Sequence, residues 1–255
     1  MSETVKLDEQ FMRQADFIPR TLWDGVNIHI VGCGGIGSVT GLALAKIGGT
    51  NFTLYDDDVI SRHNIPNQML SAVESRIGQK KVADLGGIML DFGGEHINVK
   101  AYSRKVTVEN GLNWESHEKC NRHIIICGPD SMKARTCVWN HVIERVLKED
   151  DIALYVDGRM SSRIFRLYSV IFNDNIDFLK KKYEETLYTD EQAEPLPCSD
   201  RSVFHTNMVL AAMIAEQCRR AASFEAGIEA PPNVFEILFD LVNLTFFKRE
   251  ICDLQ

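Results

Sequence analysis

The chain has 255 residues, 45% hydrophobic and 25% charged, with a formal net charge of −8. Such a composition supports one sizeable packed α/β domain, and its acidic balance argues against a nucleic-acid partner, because phosphate neutralisation needs a basic face. No apolar run approaches the roughly 20 residues that span a bilayer. The polar opening MSETVKLDEQFMRQ is not a secretory signal, and the cysteines at 33, 120, 127, 137, 198, 218 and 252 contain no C-x-x-C pair, so a reducing cytoplasm and no structural zinc are expected.

In chain order, residues 4–24 read as a helix with a loop, ended near Pro19. The apolar run Asn27–Val31 predicts a buried strand that enters the turn Gly32-Cys33-Gly34-Gly35-Ile36-Gly37. Ser38–Ile47 then carries Ala and Leu at helical spacing and stops at Gly48-Gly49. Asn51–Tyr55 predicts a second strand, Gly78–Phe92 a helix, and Asn98–Tyr102 a third strand. His123–Cys127, Ser131–Leu147 and Ile152–Val156 continue the alternation as strand, helix and strand. That alternation implies a doubly wound, mostly parallel, Rossmann-like sheet. After Gly158 the pattern changes. Arg163–Phe172 alternates like an antiparallel strand, 173–202 reads as a polar, irregular crossover, Phe204–Ser223 as a helix, and Val234–Asp240 with Thr245–Arg249 as a closing hairpin. The whole of 1–255 reads as one domain.

A glycine turn between strand and helix lets backbone approach phosphate oxygens, and the helix N-terminus adds free N–H groups and a positive dipole end. Gly32, Gly34 and Gly37 also satisfy G-x-G-x-x-G, and Asp56 ends the second strand about twenty residues on, where a carboxylate can accept from ribose hydroxyls. These features alone leave an NAD-dependent dehydrogenase open.

Five further stretches narrow the reading. The segment from Asp56-Asp57-Asp58 through Asn64 to Asn67-Gln68 resembles the D-x-D-x-V-x-x-x-N-x-x-R-Q signature of the ThiF/MoeB/ubiquitin-activating-enzyme superfamily. The paired glycine Gly34-Gly35, Gly78-Gln79-Lys80-Lys81, the strand-end Asp130, and Arg13-Gln14 are similar to that family's other motifs, in its order. Tyr155–Met160, Tyr183–Tyr188 and Pro197–Arg201 look like stretches of small bacterial and phage members.

The resemblance implies an adenylyltransferase that uses ATP and Mg²⁺ on the C-terminal carboxylate of a ubiquitin-like or sulfur-carrier protein. It implies that Gly32, Gly34, Gly35 and Gly37 pack against the nucleotide and that Asp56 holds the ribose. Asp58, Asn64, Asn67 and Gln68 complete the nucleotide site, Lys81 neutralises phosphate, and Asp130 holds Mg²⁺. Arg13 reaches into a partner subunit's site, which implies a homodimer. Cys198, in a polar proline-flanked stretch with Arg201 nearby, is the candidate for a thioester. One departure stands out: Asn67 occupies the family's arginine position, and Arg62, Arg76 or Lys80 are candidate replacements. An enzyme acting on a small molecule or tRNA base without a covalent cysteine, and a nucleotide-binding regulatory protein without catalysis, remain open.

Overall fold

A computed structural model describes residues 9–149, 151–172, 176–189 and 203–254. The strands are β1 (Val26–Val31), β2 (Asn51–Tyr55), β3 (Asn98–Tyr102), β4 (Arg122–Cys127), β5 (Ile152–Ser161), β6 (Ile164–Ile171), β7 (Val234–Asp240) and β8 (Thr245–Glu250). The helices are α1 (Gly35–Lys46), α2 (Lys81–Gly93), α3 (Met132–Val146), α4 (Ile176–Glu184) and α5 (Phe204–Glu225). The eight strands form one sheet in the order β3-β2-β1-β4-β5-β6-β7-β8. β3 to β5 are mutually parallel, whereas β6, β7 and β8 add antiparallel neighbours.

Both faces of the sheet are covered, which is why Ile124–Cys127 of β4 and the first half of β5 read as apolar runs, while β1 buries Asn27 and His29 between its apolar residues, His29 beside His123 at 2.9 Å. Ile28, Ile30, Ile124, Ile126, Leu154 and Val156 point to the face packed by α1, α2 and α5. Val31, Ile125, Cys127 and Tyr155 point to the other face, where Val138, Trp139 and Val142 of α3 and Leu179 and Tyr183 of α4 close over them.

Three expectations change. β5 does not stop at Val156 but runs to Ser161 and turns through Ser162 (φ 53°) directly into β6. At Gly158 a side chain would meet Ile36 Cγ2 at 3.2 Å and Ile214 Cδ1 at 3.4 Å, so glycine there lets strand and helices approach rather than breaking the strand. The crossover expected to be irregular begins with α4. Its apolar residues Ile176, Leu179 and Tyr183 have helical spacing, and Leu179 and Tyr183 are buried. Of the helix expected over 4–24, residues 9–11 are helical and Arg20–Trp23 form a 3-10 turn anchored by buried Trp23, whose Nε1 donates to Ile47 O at 3.1 Å.

Candidate active site

The order of strands reverses between β1 and β4, and at such a point the loops leaving the C-terminal strand ends splay apart to form a crevice. An open pocket of about 700 Å³ lies there, bounded by Gly32, Gly34, Asp56, Lys81, Asp130 and Arg135 among others. Its size falls within the roughly 300–1,000 Å³ of small-molecule sites.

The glycine turn is built on close backbone approach. Gly32 has φ +89°, and a Cβ on it would lie 2.8 Å from Gly128 O and 3.0 Å from Pro129 N. Gly37, in the first turn of α1, leaves room for Gly32 O, which an added Cβ would meet at 1.9 Å. Gly34 is different: its φ is −81°, and the nearest atom to an added Cβ is Gln68 Nε2 at 3.8 Å. The turn is thus tied to the fold by Gly32 and Gly37 and open to the pocket at Gly34.

Asp56 fastens the turn to the loop after β2. Its Oδ2 accepts from the Cys33 N–H at 2.7 Å and its Oδ1 from the Asp58 N–H at 2.8 Å. Burial pushes its carboxyl above the usual range, and those two amides with Lys81 pull the other way. Lys81 starts α2, is buried, and its Nζ donates to Asp58 Oδ2 at 2.8 Å, so a desolvated ammonium is held at the pocket wall by an exposed carboxylate.

Asp130 is exposed and lines the same pocket. It is not the cap of α3, because Ser131 Oγ accepts from Ala134 N at 3.2 Å in that role. A Mg²⁺ ion fits this donor set, since Mg²⁺ takes one or two carboxylates and completes its shell with phosphate oxygens and water. Asp56, Asp57 and Asp58 also bring carboxylate oxygens within 4.8 Å of one another, but Asp56 serves two amides and Asp58 serves Lys81.

The remaining sequence candidates distribute unevenly. Gln68 lines the pocket, and its Oε1 is buried without a hydrogen-bond partner. Asn67 Oδ1 is likewise buried and unpartnered, while Asn67 O accepts from Asn207 Nδ2 at 2.7 Å. Asn64 is turned inward on its own loop, its Oδ1 accepting from Ser61 Oγ at 2.7 Å and Ser61 N at 3.2 Å. Arg13 is exposed and is not among the residues that line this pocket. Cys198 and Arg201 lie outside the described residues. Cys33, Cys127 and Cys218 are buried, and burial pushes the Cys127 thiol up to about 12, which suits packing and not nucleophilic attack.

None of the three candidate replacements for the missing arginine lines the pocket. Arg62 pairs with Glu74, Arg76 with Asp84 at 3.7 Å, and Lys80 Nζ donates to Asp57 O at 2.8 Å. Cationic lining comes instead from Arg104 and Lys105, which follow β3, and from Arg135. Arg104 lies over the rings of Tyr55 and Tyr102, 5.3 and 5.5 Å from their centroids, and is steadied by Asn110 O at 2.8 Å and Gly111 O at 2.7 Å. These residues carry no motif and lie far from the glycine turn in sequence.

A parallel sheet with a glycine turn, a strand-end carboxylate and cationic walls at its switch point defines a nucleotide-binding α/β protein. The ThiF family model matches residues 21–237, and the chain belongs to that family. Membership supports an adenylyltransferase-type enzyme that binds ATP and acts on a carboxylate. No curated protein sequence matches the chain. Among solved structures, a crystal structure of PaaA superposes with a TM-score of 0.69 at 16% identity, over 98% of this chain and 75% of that one. E. coli MccB crystallised with ATP gives 0.60 at 17%, over 91% and 66%. The microcin C7 biosynthetic enzyme MccB in complex with N-formylated MccA gives 0.63 at 15%, over 98% and 74%. The chain therefore spans between about two thirds and three quarters of the length of these structures, and at such identities they establish the shared fold. No helix among the described residues is long and apolar enough to cross a membrane.

Proposed function

We propose that this protein adenylates the C-terminal carboxylate of a ubiquitin-like or sulfur-carrier protein with Mg²⁺-ATP, releasing pyrophosphate. The observation that carries the reading is the convergence of Lys81, Asp56, Asp130 and the open glycine turn on one pocket in a ThiF-family chain. The carboxylate oxygen attacks the α-phosphorus, the bond from that phosphorus to the bridging oxygen breaks, and its electron pair leaves with pyrophosphate. A C-terminal carboxyl, with a pKa near 3.5, is already ionised at neutral pH, so no general base is required. The work left to the protein is alignment and neutralisation of charge on the phosphate oxygens.

The residues divide that work by position. Gly34 and the N-terminus of α1 face the phosphates, Asp56 offers its remaining lone pairs to the ribose, and Gln68 offers a buried amide oxygen that lacks a partner. Lys81 supplies the buried positive charge, and Arg104 and Lys105, which line the pocket, take over the phosphate-neutralising task of the family's arginine that Asn67 replaces. Asp130 would hold Mg²⁺, which supplies charge neutralisation across the phosphates. Arg13, exposed and not part of the lining of its own pocket, suits a homodimer in which it serves the partner's site. Where a thioester follows, the Cys198 thiolate attacks the carbonyl carbon of the adenylate and AMP leaves.

A second reading has a short peptide as the acceptor, favoured by MccB having been crystallised with MccA. ATP–pyrophosphate exchange separates the two. Exchange that needs a ubiquitin-like carrier with a free C-terminal glycine supports the first reading, and exchange with short peptides supports the second. Absence of exchange with every acceptor bearing a free carboxylate, at saturating ATP, overturns both.

A further inference from the structure

The loop that carries Asp130 is tied to a buried charge network whose members come from three separate stretches of the sequence. Asp157, on β5, is fully buried and uses both oxygens. Its Oδ1 accepts from Arg135 Nη1, in a close ion pair, while its Oδ2 accepts from Arg159 Nε at 2.7 Å and from the Tyr183 hydroxyl at 2.9 Å. Arg159 is fixed in turn by Thr186, through the carbonyl at 2.8 Å and the hydroxyl at 3.0 Å, and lies over the Tyr168 ring. Asp157 is thus held from the far side and is not free to turn away from Arg135.

Arg135 has a second engagement: its Nη2 donates to the carbonyl of Pro129 at 2.6 Å, immediately before Asp130. The same short loop is pinned from the other side, because Gly32 packs against the Gly128–Pro129 peptide so closely that a Cβ would lie 2.8 Å from Gly128 O. Both donors of Arg135 described here are spent inside the protein, although the residue borders the pocket. A buried ion pair is weak evidence for stability, but a guanidinium that bridges a fixed carboxylate to a loop carbonyl determines where that loop sits. Lysine, with a single flexible ammonium, cannot make the same planar bridge.

We propose that Arg135 is a positioning residue: clamped by Asp157, it holds the Pro129 carbonyl and thereby fixes Asp130 against the nucleotide phosphates. This rests on the reading of Asp130 as the Mg²⁺ ligand, and it is tested by binding, without any acceptor. ATP affinity is measured by calorimetry with Mg²⁺ and with EDTA for the wild type, Arg135→Lys, Asp130→Asn and the double variant. Arg135→Gln, checked by its melting curve, is the second variant should the lysine form fail to fold.

The wild type should bind ATP more tightly with Mg²⁺ than with EDTA. Arg135→Lys should lose at least fivefold of that Mg²⁺-dependent gain while its affinity in EDTA stays within twofold of the wild type. The double variant should be no worse than Asp130→Asn alone, because Arg135 acts through Asp130. A purely structural arginine would weaken both conditions and add to Asp130→Asn. That result, or an Arg135→Lys protein with an undiminished Mg²⁺ effect, or a wild type insensitive to Mg²⁺, would overturn the inference. Binding as expected in a protein that shows no pyrophosphate exchange supports the positioning role and counts against adenylation alone.

Discussion

Adding one methyl group to the glycine turn at two positions should have opposite consequences. In Gly37→Ala the new Cβ lies 1.9 Å from Gly32 O and 2.9 Å from Ile30 Cγ2. The first contact is with backbone, and separating it to an ordinary distance means moving α1 off β1 by more than an ångström. Overpacking a core commonly costs about 1–3 kcal/mol and occasionally more, and contact with main chain places this case at the upper end. For a chain of this size about 3 kcal/mol corresponds to a fall in Tm of roughly 6–12 °C. Gly34→Ala meets nothing nearer than Gln68 Nε2 at 3.8 Å and needs no unusual φ. Its stability should stay within about 0.5 kcal/mol of the wild type, yet its methyl projects where phosphates are expected. ATP affinity should fall at least tenfold, equivalent to about 1.4 kcal/mol. Scanning calorimetry for both variants and ATP titration of Gly34→Ala measure the two effects. A Gly37→Ala protein that melts with the wild type would refute the close packing, and a Gly34→Ala protein that binds ATP normally would refute the placement of the phosphates.

Lys81→Met keeps the buried stem and removes the charge, so it should fold normally and slow pyrophosphate exchange by about 10²–10³, the usual cost of losing one preorganised charge donor; an unchanged rate would remove Lys81 from the mechanism. Arg104→Ala should weaken ATP much more than AMP in competition titrations, because the arginine is taken to face the outer phosphates; equal losses for both would argue that it only supports Tyr55 and Tyr102. Burial lowers the His123 imidazole to about 4 from an ordinary 6.5, with Asp151 opposing and Arg145 and His117 adding to the depression. The folded state therefore refuses a proton that the unfolded chain accepts below pH 6.5, and stability should fall between pH 6.5 and 4 by roughly 3 kcal/mol from this group. Urea denaturation across that window should show a steeper loss in the wild type than in His123→Gln, and parallel curves would contradict it.

Much of the parallel half of the fold was legible because the centre of β4 and the first half of β5, buried on both faces, are apolar, and β2, the exposed edge strand β3 and the antiparallel β7 fall on the residues expected for them. What escaped has local reasons. Gly158 resembles a strand terminator until Ile36 and Ile214 show why a side chain is excluded there. α4 has a narrow apolar stripe within a lysine-rich segment, too weak to stand out from a loop. For the candidate site, Lys81, Asp56 and Asp130 were readable because they sit at fixed offsets from turns and strand ends, and the structure gathers them on one pocket. Asn64 was readable as a motif letter, yet its side chain serves Ser61 on its own loop. Arg104, Arg135 and Asp157 were not readable, because what unites them is the folding of separate strand ends toward one crevice. The Asp157-Gly158-Arg159 stretch stands in the sequence only as part of a resemblance, and its partnership with Arg135 appears once β5 lies beside β4 and α3.

The defining event of the proposed reaction is the bond that a carboxylate oxygen forms to the α-phosphorus of ATP. It is tested most directly by labelling the C-terminal carboxylate of the polypeptide that supports exchange with ¹⁸O and analysing the nucleotide product by mass spectrometry after single turnover. Attack at the α-phosphorus followed by loss of AMP from the acyl carbon predicts AMP carrying one ¹⁸O, together with pyrophosphate. Unlabelled AMP, or ADP and inorganic phosphate as the products, would contradict the account.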